Sequence, residues 1–250
     1  MEKLISGARN IGLALTPRQL EQFLVYYREL VAWNRRVNLT AIAGYEAVQT
    51  RHFLDSLTVS LALPEIGGQG ALHLLDLGTG AGMPGVPLKI LRPDIELVLL
   101  DSVAKKTAFL QHLVGCLGLE GVEVVTGRAE ELGNLPQYRE AFDAVTSRAV
   151  ARLPALAELG LPLCRIGGLL IAQKKGDIDE EIERASRAIA VLGGTLREVK
   201  KVYLEELGEE RSLVVIEKIS PTPPGYPRRP GLPARRPLLS PKRAQPDQNI

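Results

Sequence analysis

Cysteine is scarce in this chain of 250 residues, which contains only Cys116 and Cys164. Neither stands in a paired motif, so neither a disulfide framework nor a cysteine metal knuckle is expected. Both cysteines lie in apolar stretches that look helical, and we expect reduced thiols packed in the core. The histidines His52, His73 and His112 are scattered without the spacing of metal ligands, so no metal is expected.

Long hydrophobic runs are also missing. No apolar segment approaches the roughly 20 residues that span a bilayer. Residues 1–7 lack the apolar core of a signal peptide. The hydrophobic fraction of 45% and the charged fraction of 24% are those of an ordinary globular protein. We therefore expect a cytoplasmic protein without a membrane segment.

The excess of positive charge is small, at +2, but it is unevenly distributed. Residues 221–250 contain six basic side chains and one acidic side chain, a net charge of +5, so the preceding residues carry −3. Such asymmetry is typical of a chain whose one end meets a polyanion. A solvated tail without a partner has the same composition, so charge alone leaves both interpretations open.

Three zones follow one another along the chain. Residues 1–66 are predicted to be a helical extension, with one helix starting at Thr16-Pro17-Arg18-Gln19 as a capping box and a second from about 46 to 63. Residues 67–220 alternate apolar runs with helical stretches, which predicts an α/β core with a parallel sheet. Residues 221–250 are predicted to be an extended Pro/Arg-rich arm, because its prolines exclude a helix or a central strand. The end of this arm, after Leu238, is expected to be disordered.

The core zone contains seven candidate strands. They are residues 72–77, 96–100, 122–126, 142–146, 169–173, 196–204 and 212–218. The helical stretches between them include 103–117, 153–163 and 178–192. Residues 205–211, between the last two strands, are too few for a crossover helix. We therefore predict that these two strands pair antiparallel, as a hairpin at the end of a seven-stranded sheet.

A glycine-rich turn follows the first of these strands. Asp76 ends the strand, and Gly78, Gly80 and Gly82 follow it before a helix begins. Glycines let the backbone turn tightly and approach a ligand, and open α/β sheets bind ligands at this edge. The spacing Gly80-x-Gly82-x-x-Gly85 also matches the dinucleotide pattern, so a nicotinamide cofactor competes with S-adenosylmethionine at this point.

Three acidic residues favour S-adenosylmethionine. Asp76 can fix the turn and face an amino group, Asp101 ends the second strand and can accept both ribose hydroxyls, and Glu130 follows the third strand near the expected adenine. The predicted terminal hairpin is not expected in a nicotinamide domain. The fold class is therefore α/β, a Rossmann-like class I methyltransferase. In the alternative interpretation, Asp76 and Asp101 only cap loops and Glu130 only opens a helix. That interpretation is reasonable for any one of these residues, but three acids at three successive strand ends favour a ligand site.

The sequence resembles the RsmG (GidB) family of bacterial methyltransferases, which modify a guanine N7 in 16S ribosomal RNA of the small subunit. The segments that carry the resemblance are residues 33–42, 51–57, 76–87, 100–102, 127–131, 146–149 and 222–231. Glycine turns are common to many methyltransferases. The N-terminal segments and the proline–arginine segment make the resemblance specific.

The resemblance implies a set of site residues. Together with Asp76 and Gly80 from the turn, the expected cofactor contacts are Gly78, Met83, Asp101, Ser102, Ala129, Glu130 and Arg148. The resemblance also implies that Lys105, Arg128, Arg148 and Lys175 lie near the transfer centre. Arg148 and Lys175 are the main candidates for residues near the transfer centre, and no catalytic residue is assigned. We expect Arg148 to anchor the cofactor or a loop, or to contact an RNA phosphate, in preference to a catalytic role; the alternative is a structural ion pair after the fourth strand.

The chemistry of the chain is consistent with a guanine N7 target. Neither cysteine is placed as the nucleophile that cytosine C5 transfer needs, and Thr146-Ser147-Arg148-Ala149 replaces the Asn/Asp-Pro-Pro-aromatic loop of exocyclic-amine enzymes. N7 already carries a lone pair and needs no general base. A methyltransferase of the same fold acting on a protein or small molecule, and a non-catalytic RNA-binding assembly factor, remain alternatives.

RNA binding is expected to rest on basic side chains that contact phosphates. We expect a monomer whose partner is 16S rRNA or the small ribosomal subunit. Tyr226 is the best candidate for stacking on a base, because Trp33, Tyr26 and Tyr27 are expected in the core. The predicted RNA contacts are Arg35, Arg36, Lys105, Lys106, Arg128, Lys174, Lys175, Tyr226, Arg228 and Arg229.

Overall fold

A computed structural model describes residues 1–65, 70–176 and 178–240. Within these residues seven strands form one sheet in the order β3-β2-β1-β4-β5-β7-β6. The strands are β1 (Leu72–Leu77), β2 (Ile95–Asp101), β3 (Val122–Thr126), β4 (Phe142–Arg148), β5 (Cys164–Lys175), β6 (Gly194–Leu204) and β7 (Glu209–Lys218). The first five run parallel, and β7 pairs antiparallel with both β5 and β6. The predicted terminal hairpin is confirmed.

The chain order reverses between β1 and β4. The chain moves outward from β1 through β2 to β3 and then returns to place β4 on the other side of β1. At such a switch point the loops after the two central strands diverge and leave a crevice at the carboxyl edge of the sheet. The glycine turn after β1 lies at this point.

Helices cover both faces of the sheet. Their bounds are α1 (Glu2–Asn10), α2 (Pro17–Asn34), α3 (Tyr45–Val48), α4 (Asp55–Leu57), α5 (Gly85–Leu91), α6 (Ala104–Leu117), α7 (Ala129–Leu132), α8 (Leu153–Gly160), α9 (Asp179–Val191) and α10 (Leu232–Arg235). One apolar layer joins α2, α5 and α6 to one face, and the second joins α8 and α9 to the other. In the described residues no helix is both long and apolar enough to cross a membrane.

The N-terminal helices share a core with the sheet. The predicted capping box is present, because Thr16 Oγ1 accepts from Gln19 N at 3.3 Å and Gln19 Oε1 accepts from Thr16 N at 2.8 Å. Phe23 and Tyr26 of α2 are fully buried in the same apolar layer as Leu74 of β1. The division into residues 1–66, 67–220 and 221–250 stays a prediction, since residues 66–69 and 241–250 lie outside the described residues.

The predicted helix over 46–63 is present but is not one regular helix. A π-helical turn over Gln49–Leu54 follows α3, and a 3₁₀ turn over Thr58–Ala62 follows α4. The wider turn changes the phase of the helix just before Asp55, and turns of this kind recur at functional sites. The regular period of the apolar residues does not reveal such an insertion.

Two details of the core differ from expectation. Strand β5 starts at Cys164, whereas the sequence predicts its start at residue 169. The strand continues through Gly168, where a Cβ would lie 2.8 Å from Phe142 O. Glycines in a strand tolerate such close backbone approach, although they resemble a strand boundary in the sequence. Cys164 is buried in this strand, whereas Cys116 is exposed at the end of α6, so the expectation that both thiols lie in the core is wrong for Cys116.

The C-terminal arm, residues 221–240, packs against the core. Arg139 donates to the carbonyls of Thr222 and Tyr226 at 2.9 and 2.8 Å. Arg228 makes a two-pronged ion pair with Glu158, with Nε–Oε1 and Nη2–Oε2 distances of 2.7 and 2.6 Å, and Glu158 is fully buried. Arg228 therefore neutralises a buried carboxylate and has a structural role, and the RNA contact expected of it stays a prediction.

Replacement of Arg228 by alanine should destabilise the protein by about 3–5 kcal/mol, because it leaves the Glu158 carboxylate buried without a counter-charge. Urea unfolding of the two proteins measures the difference. Arg229→Ala is the matched control, since the neighbouring side chain is exposed and its loss should change stability by about 0.5 kcal/mol or less. Equal stability of the two variants would contradict the structural role of Arg228.

Candidate active site

The turn after β1 requires its glycines. Gly78, Gly80 and Gly82 have φ angles of 68°, 62° and 97°, a region that L side chains rarely adopt. A Cβ on Gly82 would lie 2.7 Å from the hydroxyl oxygen of Tyr26, which donates a hydrogen bond to Ala81 O. Tyr26 of helix α2 therefore packs against the turn and supports it.

Asp76 supports this turn from the end of β1. Its Oδ2 accepts from Thr79 Oγ1 at 2.6 Å and from Gly85 N at 2.8 Å, which ties the two ends of the turn together. Its Oδ1 is buried and has no hydrogen-bond partner among the described residues. Burial raises the pKa of Asp76 to about 6. A buried oxygen without a donor indicates a place for a ligand or water donor.

Asp101 holds the same turn from the end of β2. Its Oδ2 accepts from Gly80 N and its Oδ1 from Val103 N, both at 2.9 Å, while Lys106 Nζ lies 3.7 Å away. A carboxylate has about four acceptor positions. Asp101 can therefore orient the turn and still accept hydrogen bonds from a ligand. Ser102, which follows it, is exposed.

Glu130 has a partner that sequence reasoning did not anticipate. This carboxyl group is buried after β3, beside the buried Ala129, and its Oε1 accepts from Gly231 N of the arm at 2.8 Å. The arm therefore meets the predicted adenine end of the site. An adenine contact by Glu130 stays a prediction, and the structure adds that the arm helps to position this side chain.

Arg148 joins the turn to the N-terminal extension. Its Nη1 donates to Asp55 Oδ2 at 2.8 Å and to Arg51 O at 3.3 Å, and its Nη2 lies 3.1 Å from Met83 Sδ. Of the roles considered for Arg148, these contacts favour a loop anchor held by an ion pair. The contact with Met83 places the guanidinium directly beside the glycine turn.

Asp55 also binds a second arginine. Its Oδ1 accepts from Arg211 Nε of β7, Arg211 Nη1 lies 3.0 Å from Glu209 Oε2, and Lys175 Nζ lies 2.8 Å from Glu209 Oε1. The two candidate residues Arg148 and Lys175 therefore belong to one charged chain that runs across the ends of β4, β5 and β7. We name this chain, Arg148–Asp55–Arg211–Glu209–Lys175, the charge bridge.

The N-terminal segments that carry the resemblance lead into the charge bridge. Asn34 Oδ1 accepts from Leu39 N and Thr40 N at 2.8 and 3.0 Å, which fixes the loop after α2. Thr40 Oγ1 lies 2.8 Å from His52 Nε2. Burial, reinforced by Arg148, lowers the pKa of His52 to about 4, so the imidazole is neutral near pH 7. Reasoning from individual residues missed Asn34, Thr40 and Asp55, and only the resemblance marked their segments.

The loop after β4 lies on the glycine turn. A Cβ on Gly78 would lie 2.4 Å from Val150 Cγ2, and Ala149 has a φ of 58°. Val150 is nevertheless 39% exposed. Residues 149–150 therefore lie against the turn and leave part of the Val150 side chain exposed beside it.

The predicted RNA contacts divide into four partly buried side chains and six exposed ones. Lys174 donates to Ala151 O and Glu181 Oε1, both at 2.8 Å, Tyr226 packs against the apolar core, and Arg228 binds Glu158. These three side chains make contacts that stabilise the fold. Lys106 Nζ lies 3.7 Å from Asp101 Oδ2. The remaining six have exposed side chains: Arg35, Arg36, Lys105, Arg128, Lys175 and Arg229.

Comparison with known proteins identifies close relatives. The family described as "GidB: rRNA small subunit methyltransferase G" matches residues 19–214. The ribosomal RNA small subunit methyltransferase G of Roseiflexus castenholzii is 52% identical, over 96% of this chain and 100% of the relative, and that of Dehalococcoides mccartyi (strain ATCC BAA-2100 / JCM 16839 / KCTC 5957 / BAV1) is 51% identical over the same shares. A geranyl diphosphate methyltransferase solved in complex with SAM has a TM-score of 0.52 at 16% identity, over 72% of this chain and 92% of that chain, which shows a shared fold.

The crevice suits S-adenosylmethionine. Asp76 Oδ1 can accept from the cationic amino group, Asp101 has acceptor positions for the ribose hydroxyls, and the glycines leave room for close approach. An ammonium group beside Asp76 would also favour its ionised form, which burial otherwise opposes. The residues present therefore fit this cofactor.

Replacement of Asp76 by asparagine should stabilise the ligand-free protein in a pH-dependent way. The folded-state pKa of Asp76, about 6, is above its ordinary value of 3.8, so the folded protein holds this proton more tightly than the unfolded chain. The stability of the native protein relative to the variant should fall as the pH rises from about 4 to 6 and then stay level. The full difference is at most about 3 kcal/mol. Chemical unfolding across this range measures it, and a difference independent of pH would contradict the prediction.

Proposed function

The chain belongs to the rRNA small subunit methyltransferase G family, and we propose that it transfers a methyl group from S-adenosylmethionine to N7 of a guanine in 16S ribosomal RNA. The observation that carries this proposal is the pair of carboxylates, Asp76 and Asp101, which hold the glycine turn from the ends of β1 and β2. The unpartnered Oδ1 of Asp76 is the acceptor that a ligand would satisfy.

The reaction is a direct displacement. The cofactor supplies a methyl group on a positively charged sulfur. The N7 lone pair forms the new N–C bond as the C–S bond breaks, and the positive charge passes from sulfur to the purine. No proton has to be removed, so the protein acts mainly by holding the reactants in line.

Our assignment gives each site residue a positioning role. Asp76 binds the amino group, Asp101 binds the ribose, and Glu130 faces the adenine from beneath the arm. Arg148 holds the side of the turn that carries Met83. Asp55 neutralises part of the positive charge of Arg148 and Arg211. The purine becomes positive during the reaction, and this pairing reduces the electrostatic repulsion between the purine and the two arginines.

The RNA is proposed to bind through the exposed basic side chains. Arg35 and Arg36 lie at the end of α2, and Lys105 and Arg128 follow β2 and β3 at the carboxyl edge of the sheet. Lys175 and Arg229 add charge beside β5 and on the arm. Contacts of this kind position the RNA by its phosphates.

Asp101→Ala should weaken the binding of S-adenosylmethionine by roughly 10- to 100-fold, because charge-assisted hydrogen bonds to the ribose and to Gly80 N are lost. Isothermal titration calorimetry measures the dissociation constant. Asp94→Ala is the matched control, since Asp94 is an exposed aspartate that pairs with Arg92 before β2. Unchanged affinity in Asp101→Ala would mean that the ribose lies elsewhere.

Deletion of the gene should remove one N7-methylguanine from 16S rRNA. Mass spectrometry of nuclease-digested rRNA detects the missing modification. The native protein should restore it, whereas Asp101→Ala should not. If 16S rRNA from the deletion strain keeps its full N7-methylguanine content, the proposed substrate is wrong, even if the purified protein binds the cofactor.

A further inference from the structure

Three side chains with metal-binding atoms meet between α2 and α6. His112 Nε2 lies 2.7 Å from Glu29 Oε2 and 3.4 Å from Cys116 Sγ. All three potential ligand atoms lie within 4.8 Å of one another. His112 and Cys116 occupy positions i and i+4 on one face of α6, and Glu29 faces them from α2.

These side chains are open to solvent but held in place. The side chains of His112 and Glu29 are 40% and 29% exposed, and Cys116 is exposed as well. The indole ring of Trp33 lies 5.2 Å from the His112 imidazole, centroid to centroid, and 5.6 Å from the ring of Phe109. Trp33 therefore packs against the imidazole from α2 and limits its rotation. A metal ion could reach the three ligand atoms without any opening of the core.

We propose that Glu29, His112 and Cys116 bind a zinc ion, or another divalent cation that prefers sulfur and nitrogen, with water as the fourth ligand. Thiolate, imidazole and carboxylate are the zinc ligands found in proteins, whereas magnesium and calcium prefer oxygen alone. On binding, the Cys116 S–H bond breaks, a metal–sulfur bond forms, and the proton passes to solvent.

The spacing of the ligand atoms is near what zinc requires. Zinc–sulfur and zinc–nitrogen bonds of about 2.3 and 2.0 Å in a tetrahedron separate neighbouring ligand atoms by about 3.3–3.6 Å. The distance from His112 Nε2 to Cys116 Sγ already lies in this range, and Glu29 Oε2 has to retreat from the imidazole by about 0.6 Å. Such shifts need only small rotations of side chains that are partly or largely exposed.

The ion would join the N-terminal extension to the methyltransferase core. Helix α6 begins beside Asp101, and Cys116 lies twelve residues after Ala104, about 18 Å along the helix axis. The cluster is therefore separate from the glycine turn, and this proposal does not depend on the proposed function. The expectation of no metal rests on spacing along the chain, and such spacing does not show this cluster because Glu29 lies 83 residues before His112.

Cobalt(II) titration of the purified full chain tests the proposal directly. Cobalt should add a thiolate charge-transfer absorption band and quench the fluorescence of Trp33, which is the single tryptophan of the chain. Zinc should reverse both signals and bind with a stoichiometry of one, and it should raise the melting temperature of the native protein.

Variants separate this cluster from other metal-binding groups. Cys116→Ser should abolish the charge-transfer band, since Cys164 is fully buried and stays in the variant. His112→Gln and Glu29→Gln should each weaken zinc binding by tenfold or more and remove the rise in melting temperature. His73→Gln is the matched control, because this exposed histidine of β1 lies outside the cluster and should leave the affinity unchanged. Zinc affinity that is equal in all variants, or no binding at micromolar zinc, would overturn the proposal.

Discussion

The carboxylate of Asp55 is the interaction on which the candidate active site depends. It lies on the N-terminal extension, is 5% exposed, and binds Arg148 with one oxygen and Arg211 with the other. A carboxylate of this kind is costly to bury, and the two guanidinium groups offset that cost. The result is a rigid connection from the extension to β4 and β7. Because Arg148 also contacts Met83, the same connection sets one side of the glycine turn.

The C-terminal arm has a comparable role on the opposite side of the sheet. Lys218 is fully buried at the end of β7, where it donates to Leu161 O and Leu192 O and lies 3.1 Å from Glu140 Oε1. Arg228 neutralises Glu158, and Gly231 N binds Glu130. Buried charges here are satisfied in pairs by groups that are distant in the sequence. The arm is thus packed against the core by these pairs and contacts Glu130, with Arg229 exposed beside it.

Much of the core could be predicted from the sequence because its signals are local. The apolar runs, the glycine turn and the short link before β7 each depend on neighbouring residues, and the seven strands with their terminal hairpin are confirmed. Strand β5 is longer than predicted because Gly167 and Gly168 look like a boundary, whereas in the structure Gly168 allows close approach to β4 and the strand continues through both glycines. Cys116 was placed in the core because its neighbours are apolar, although its side of α6 faces solvent.

The sequence by itself determined where the turn must form and which acids end the strands that flank it. Backbone conformation at a glycine and the alternation of a strand are set within a few residues. Only the tertiary structure decided the partners of the charged side chains. Arg148 and Asp55 are 93 residues apart, and Arg228 and Glu158 are 70 apart. The sequence does not show whether a basic side chain binds an RNA phosphate or a buried carboxylate. The tertiary structure distinguishes the two, because packing excludes water from the buried ion pair.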